Sequence, residues 1–143
     1  MKALLPLALF SALSLAPLPR QDPEHEETEL GSHMEKIEDT VKLLRKNLKE
    51  PATWPAALDA VAEIERHSLA AKKLVPAAAA KLPEAERAAF VQAFRRQMVD
   101  FLRHQLDLEA ALLDGNAEAA KAAFDSFRAM EDPSHERFAP EDE

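Results

Sequence analysis

Imidazole and thioether side chains can ligate a transition metal, and this sequence has five histidines and four methionines, among them His135 and Met34. Together they suit copper or haem iron better than magnesium or calcium. A covalently attached haem requires the pattern Cys-x-x-Cys-His, and the two cysteine positions before His135 hold Glu131 and Ser134. The chain contains no cysteine, which also excludes disulfides, thiolate metal sites and iron–sulfur clusters. Any cofactor bound by His135 must therefore be held without a covalent bond.

Met34 lies on the first of four segments with helical periodicity. Apolar residues recur there at alternating steps of four and three, which is the spacing of one helical face. The pattern predicts a first helix over about 28–49, ending before Pro51. The residues of this face are Leu30, Met34, Ile37, Val41, Leu44 and Leu48.

The second and third helices are predicted between proline and glycine residues. Helix two is expected over about 54–75, with Thr53 as its N-cap and Pro55 in the first turn, where a missing N–H is tolerated. Helix three is expected over about 84–114, and Gly115 is expected to end it in the left-handed conformation. Its stripe comprises Phe90, Phe94, Met98, Phe101, Gln105, Leu108 and Leu112.

His135 lies on the fourth predicted helix, over about 117–138, with Asn116 as the N-cap. One side of this helix is apolar or small, which marks its core face. Pro133 cannot continue the hydrogen-bond ladder, so the helix is expected to kink or restart there, with Asp132 as a new cap. The core face comprises Ala120, Ala123, Phe124, Phe127 and Met130.

These segments predict one all-α domain over residues 28–139, an up-down-up-down antiparallel four-helix bundle. The chain has 143 residues, only two glycines and no tyrosine, and 31% of its residues are charged. Such a composition favours helices with short connections over sheets, and the length allows one core. Residues 140–143 are expected to form a short tail.

Antiparallel order brings the start of helix one, the end of helix two, the start of helix three and the end of helix four to one end of the bundle. Met34 and His135 would meet there. Aromatic side chains would form walls, and alanines would leave space, as a flat hydrophobic macrocycle with a central iron requires. The other residues at this end are Phe90, Phe94, Met98, Ala71 and the alanines of 77–80.

The N-terminal segment MKALLPLALFSALSLAPLPRQD has one lysine followed by an apolar run that is short for a membrane span. It predicts an export signal over residues 1–20, whose cleavage position the sequence leaves open. Residues 21–27 are interpreted as an acidic, disordered lead. The mature protein is therefore expected in the periplasm, with no membrane span after signal cleavage.

The segments ELGSHMEKIEDTVKLL and GNAEAAKAAFDSFRAMEDPSHERF, following an export signal in a four-helix chain, resemble the first and last helices of the cytochrome b562 family. The resemblance implies an exported electron-transfer protein that binds one haem b per chain without a covalent bond. It also implies that Met34 and His135 are the axial ligands of the iron. The resemblance covers about residues 27–139, and outside the two ligand segments it consists mainly of bundle periodicity.

The same resemblance suggests which residues would surround the haem. Phe94 falls at an aromatic wall position, Met98 replaces a second phenylalanine, and Phe138 replaces a tyrosine. Ile37 and Val41 would complete a dry wall that tunes the potential. Two axial ligands leave no open position on the iron, so electron transfer is expected and enzymatic activity is not.

The formal charge of −8 restricts the partners of the protein. An acidic surface disfavours nucleic acid and is compatible with a basic redox partner, whose identity the sequence does not give. We expect a monomer or a weak dimer.

Two alternatives to a haem protein remain open on the sequence. One is an exported copper-binding, zinc-binding or stress-related bundle, with a site formed by His25, His33 and nearby glutamates, with or without Met34. The other is a structural helical adaptor in which every apolar stripe is core. His67 and His104 flank their stripes, so all four of these histidines are expected to be exposed.

Overall fold

The computed structural model describes residues 28–139, and this part of the chain is helical without a strand. The prediction of an all-α domain is confirmed. The predicted signal, lead and tail lie outside the described residues. The helices are α1 (Glu29–Asn47), α2 (Trp54–Ala71), α3 (Glu84–Leu113), α4 (Ala117–Ala129) and α5 (Glu131–Phe138), with 3-10 turns at Pro51–Thr53 and Ala77–Lys81.

Three helix ends are fixed by local hydrogen bonds and backbone geometry. The Thr28 side chain accepts a hydrogen bond from the backbone N–H of Gly31 at 3.0 Å, which caps α1. Asn116 caps α4 in the same way, as its sequence position predicted. Gly115 has a φ of 68°, the left-handed conformation expected at the end of α3.

Helix two begins at Trp54, as predicted, but its predicted end is wrong. Thr53 directly precedes the helix, but its side chain does not cap it, because its hydroxyl donates backwards to the carbonyls of Asn47 (2.7 Å) and Glu50 (2.8 Å). The helix ends at Ala71 and not at residue 75. Pro76 disfavours the helical conformation for Val75, the residue directly before it, so the helix does not extend to residue 75.

The single helix expected over 117–138 is divided at Met130 into α4 and α5. Pro133 is the third residue of α5, where a backbone N–H would have no partner within the helix, so proline fits without breaking a hydrogen bond. The break therefore precedes the proline, and Asp132 does not act as the cap. The Ser134 hydroxyl donates to the Met130 carbonyl at 2.5 Å and fastens the junction.

Two groups of buried side chains hold the helices together. The main core lies between α1, α2, α3 and α4 and includes Leu44, Ile64 and Leu108, each 1% exposed. The second core is smaller and joins Ala71, Phe94, Met98 and Phe138. Met34 and Phe101 contact both cores. The second core and the residues beside it form the end of the molecule where the predicted ligands lie.

The outer faces of the helices carry ion pairs one turn apart. Lys42 lies 3.1 Å from both Glu38 and Asp39, and Lys121 lies 2.6 Å from Asp125. The acidic face of α1 is therefore exposed to solvent. Over residues 28–139, none of the helices has the length and apolar character needed to cross a membrane.

Candidate cofactor-binding cavity

A cavity of about 560 Å³ lies between α1, α3, the last two helices and the connection from α2 to α3. All seven side chains predicted to form a haem site line it. Two of them are the candidate ligands, and five are the candidate walls. They are Met34, His135, Ile37, Val41, Phe94, Met98 and Phe138.

The helix α1 supplies one candidate ligand and part of the wall. Met34, Ile37 and Val41 follow each other at steps of three and four, which places them on one face of the helix. Ile37 and Val41 are buried, whereas Met34 is half-buried between the two cores. The thioether therefore borders the cavity and has apolar surroundings.

His135 is exposed on α5 and also borders the cavity. Among residues 28–139, no side chain or backbone group forms a hydrogen bond with its imidazole. A neutral imidazole carries one nitrogen lone pair that can bind a metal. His135 therefore has a free donor atom at the mouth of the cavity.

Contacts on both sides of His135 fix the helix that carries it. Ser134 accepts a hydrogen bond from the Gln97 amide of α3 at 2.9 Å. The Phe138 ring meets Phe94 edge-on with the centroids 5.4 Å apart. One contact precedes His135 and the other follows it, so α5 is held against α3 on both sides of the candidate ligand.

The walls on α3 are among the most enclosed side chains of the second core. Phe94 is 5% exposed and Met98 is 4% exposed, and they lie one helical turn apart. Phe90 does not line the cavity. It supports the wall from behind, because its ring meets Phe138 at 5.3 Å. Its expected place beside the cofactor is therefore wrong.

The sequence analysis did not assign Phe101, Phe127 and Met130 to the site, although all three line the cavity. Phe101 and Phe127 stack with their centroids 4.7 Å apart and form the inner end of the wall. These residues lie on the stripes that predicted the helices. Their position on the apolar face of a helix predicted that they are buried. It could not show whether they fill the core or line a cavity.

Charged side chains border this apolar lining. Arg128 and Glu131 form an ion pair across the junction of α4 and α5, and both are about one-third exposed or less. Glu35, Glu38 and Lys81 also border the cavity. The lining is therefore mostly apolar, with these charged side chains and the hydrogen-bonded pair Gln97 and Ser134 among it.

The prediction that the four other histidines are exposed is wrong for His67, which is 8% exposed, and His33 and His104 are half-buried. His67 lies on the wide face that α2 presents to its neighbours, next to Ser68. Its polar ring is tolerated there because its Nδ1 lies 2.8 Å from Nδ1 of His33. His25 lies outside the described residues.

The metal-binding groups that proteins commonly form from three or more side chains are not found in the part of the chain that the structure describes. Across the described residues 28–139, no group of three or more histidine, aspartate or glutamate side chains is arranged to hold a metal ion. The side chains bordering the cavity that can donate to a metal include the thioether of Met34, the imidazole of His135 and the carboxylates of Glu35, Glu38 and Glu131.

Fold and cavity together define an all-α protein with a largely apolar cavity, bordered by one methionine and one histidine whose side chains are of types that can ligate a metal. In comparisons with known proteins, no family model and no curated protein matches the chain. The resemblance to the cytochrome b562 family therefore rests on the two segments around Met34 and His135.

Proposed function

We propose that the protein is an exported electron-transfer protein that holds one haem b without a covalent bond, with Met34 and His135 as the axial ligands. The observation that supports the proposal is that the two predicted ligands and the five predicted wall residues line a single cavity. These residues come from α1, α3 and α5, which are far apart in the chain.

The donor set fits a planar macrocycle better than a bare ion. A macrocycle supplies four nitrogen ligands itself and requires only one or two from the protein, which matches one thioether and one imidazole. The cavity volume of about 560 Å³ is within the ordinary range for buried organic ligands. Its apolar walls and charged rim suit a molecule with a hydrophobic body and polar edges.

The proposal includes an up-down-up-down antiparallel arrangement of the helices. Contacts between α3 and the last two helices support it: Phe101 meets Phe127, and the earlier residue Phe94 meets the later residue Phe138. An earlier residue of α3 thus contacts a later residue of the last two helices, as expected when neighbouring helices run in opposite directions.

Haem b would supply one-electron transfer in this cavity. Met34 and His135 would occupy both axial positions, so no position would remain for oxygen or substrate, and no enzymatic activity is proposed. The thioether would favour the reduced iron and raise the potential relative to two histidines. Phe94, Met98 and Ile37 would keep water from the centre.

The proposal also includes the cellular location of the protein and its partners. Residues 1–20 would direct the chain to the periplasm and then be removed. The charge of −8 would favour a basic redox partner and disfavour nucleic acid. We expect a monomer or weak dimer, since electron-transfer encounters are small and transient.

Haemin titration of the protein tests the proposal. We expect a sharp low-spin Soret band in the wild type, a changed spin state in Met34→Leu, and haem affinity at least about tenfold weaker in His135→Ala. Leucine nearly preserves the volume of methionine, so the first variant removes the ligand and retains the packing.

His104→Ala serves as the matched control, because it removes a half-buried imidazole that does not line the cavity. Its spectrum should equal that of the wild type. Absence of any spectral change in the wild type at micromolar concentration would reject the proposal. Identical spectra in the wild type and both ligand variants would reject the ligand assignment.

A further inference from the structure

A second pair of possible metal ligands lies between α1 and α2. Nδ1 of His33 is 2.8 Å from Nδ1 of His67, and the two ring centroids are 5.1 Å apart. Neither histidine lines the cofactor cavity. Residues 33 and 34 point about 100° apart around α1, so His33 can face α2 while Met34 borders the cavity.

The short distance between the two nitrogens requires that they share one proton. One ring is then the Nδ1–H tautomer and donates, and the other is the Nε2–H tautomer and accepts. The accepting nitrogen therefore already presents a lone pair toward the first. If the donating ring moves its proton to Nε2, both rings are neutral imidazoles with both Nδ1 lone pairs facing the same point, where a metal ion can bind.

Glu63 provides the support that a metal-bound histidine commonly has. Its Oε1 lies 3.1 Å from Nε2 of His67, one helical turn away. Arg66 Nη2 lies 2.9 Å from the same Nε2 and pairs with Glu63, so Nε2 accepts from Arg66 in one tautomer of His67 and donates to Glu63 in the other. Accepting the Nε2–H of His67 would hold Nδ1 toward the metal, as in carboxylate–histidine–metal arrangements.

The spacing requires only a small adjustment. Two nitrogens at about 2.0–2.1 Å from a tetrahedral ion lie about 3.3 Å apart, which is about 0.5 Å more than the distance in the structure. His33 is half-buried, so rotation of its ring can supply this change and the solvent side can supply water ligands. Imidazole nitrogens favour copper, nickel and zinc over magnesium and calcium.

We propose that His33 and His67 bind one divalent transition-metal ion through their Nδ1 atoms, with Cu²⁺ preferred over Ni²⁺ and Zn²⁺, and thereby link α1 to α2. Binding moves one proton within the ring that donates from Nδ1, from Nδ1 to Nε2, and releases no net proton. The site is separate from the proposed haem site and involves neither Met34 nor His135.

Calorimetric titration of the full chain with Cu²⁺ and Zn²⁺ tests this site. We expect one ion per chain and at least about tenfold weaker binding in both His33→Ala and His67→Ala, which each remove one ligand. His104→Ala, Met34→Leu and His135→Ala should bind as the wild type does. Cu²⁺ should also raise the unfolding temperature of the wild type by mass action, and this gain should be lost in both ligand variants.

His67 is buried, so its variant needs an independent check of folding by circular dichroism. If His67→Ala does not fold, His33→Ala and the electron paramagnetic resonance spectrum of bound Cu²⁺ decide the question. The site is supported if the spectrum shows hyperfine coupling of Cu²⁺ to two nitrogens in the wild type and if this two-nitrogen coupling is lost in His33→Ala. Unchanged affinity in His33→Ala, or binding abolished by His25→Ala or His135→Ala instead, overturns it without affecting the haem proposal.

Discussion

Phe138 shows how one side chain can connect the end of the chain to the cavity. It is 7% exposed, meets two phenylalanines of α3 edge-on, and also borders the cavity near His135. Aromatic pairs of this geometry contribute more than their buried area alone. Removing the ring should therefore affect both the stability of α5 and the position of the candidate ligand.

Phe138→Ala should lower the free energy of unfolding by about 3 kcal/mol, the lower end of the range for such truncations, because α5 is near the end of the described chain. Urea unfolding followed by circular dichroism measures this. Phe138→Leu serves as the control and should lose about half as much. A loss below about 0.5 kcal/mol for the alanine variant would mean that α5 does not depend on this contact.

Glu65 is a carboxyl group in an unfavourable place. Burial and then the charge of Glu109 raise the pKa of Glu65 above its ordinary value of 4.5. In the folded protein at neutral pH its carboxylate is therefore less favourable than in the unfolded chain. Glu65→Gln should increase the free energy of unfolding at neutral pH.

The gain from Glu65→Gln should disappear below pH 4.5, where the wild-type carboxyl is protonated in both states, and it should appear as pH rises through the raised pKa. Glu63→Gln should have the opposite sign, since hydrogen bonding from Arg66 lowers the pKa of Glu63. That variant should lose stability at neutral pH and match the wild type in acid. Urea unfolding at several pH values distinguishes the two, and equal signs at neutral pH would contradict the assignment.

At the scale of the elements, the tight connection between α3 and α4 depends on a single backbone conformation. Gly115 has a φ of 68°, and a Cβ added there would meet no atom within 4 Å. The cost of a side chain at this position is therefore backbone strain without steric contact. Asn116, which follows directly, caps the next helix and completes the turn.

Gly115→Ala should destabilise the protein by about 1 kcal/mol, because an L-residue pays that much for the left-handed conformation. Gly115→Asn should cost less, since asparagine tolerates this conformation. Urea unfolding of both variants provides the comparison. Equal stability of Gly115→Ala and the wild type would mean that the turn can adopt another conformation.

At the scale of the whole molecule, the two cores hold different helices. The main core involves α1 to α4, whereas α5 is held by the second core and by the Gln97–Ser134 hydrogen bond. Most buried side chains do not border the cavity, so the helices can fold before any cofactor binds. Regions with few buried contacts open locally at low free energy, which makes α5 the element most sensitive to the cofactor.

Without haem, the protein should be helical by circular dichroism, with faster amide exchange in α5 than in α2 and α3. Haemin should slow exchange in α5 and raise the unfolding temperature, because a ligand that binds only the folded state stabilises it. Hydrogen exchange detected by mass spectrometry measures both states. Exchange in α5 as slow as in α2 before haemin is added would contradict this division of the molecule.

The accuracy of the sequence analysis differed between positions for physical reasons. Asn116, Gly115 and the length of α3 followed from local rules, since caps and apolar periodicity act within a few residues. Thr53 failed as a cap because its hydroxyl had closer partners in the preceding turn. The predicted fourth helix is interrupted at Met130, before Pro133. Proline is tolerated in the first turn of a helix, so Pro133 does not mark the point where α5 begins.

The sequence by itself determined the helical class, the approximate helices and the pairing of a thioether with an imidazole as possible ligands, because these depend on residue type and local spacing. Only the tertiary structure decided which stripe residues border a cavity and which fill the core. It also buried His67 against His33 and fixed α5 through Gln97 and Phe138. Such contacts join residues far apart in the chain, and periodicity within one helix contains no information about the neighbour it faces.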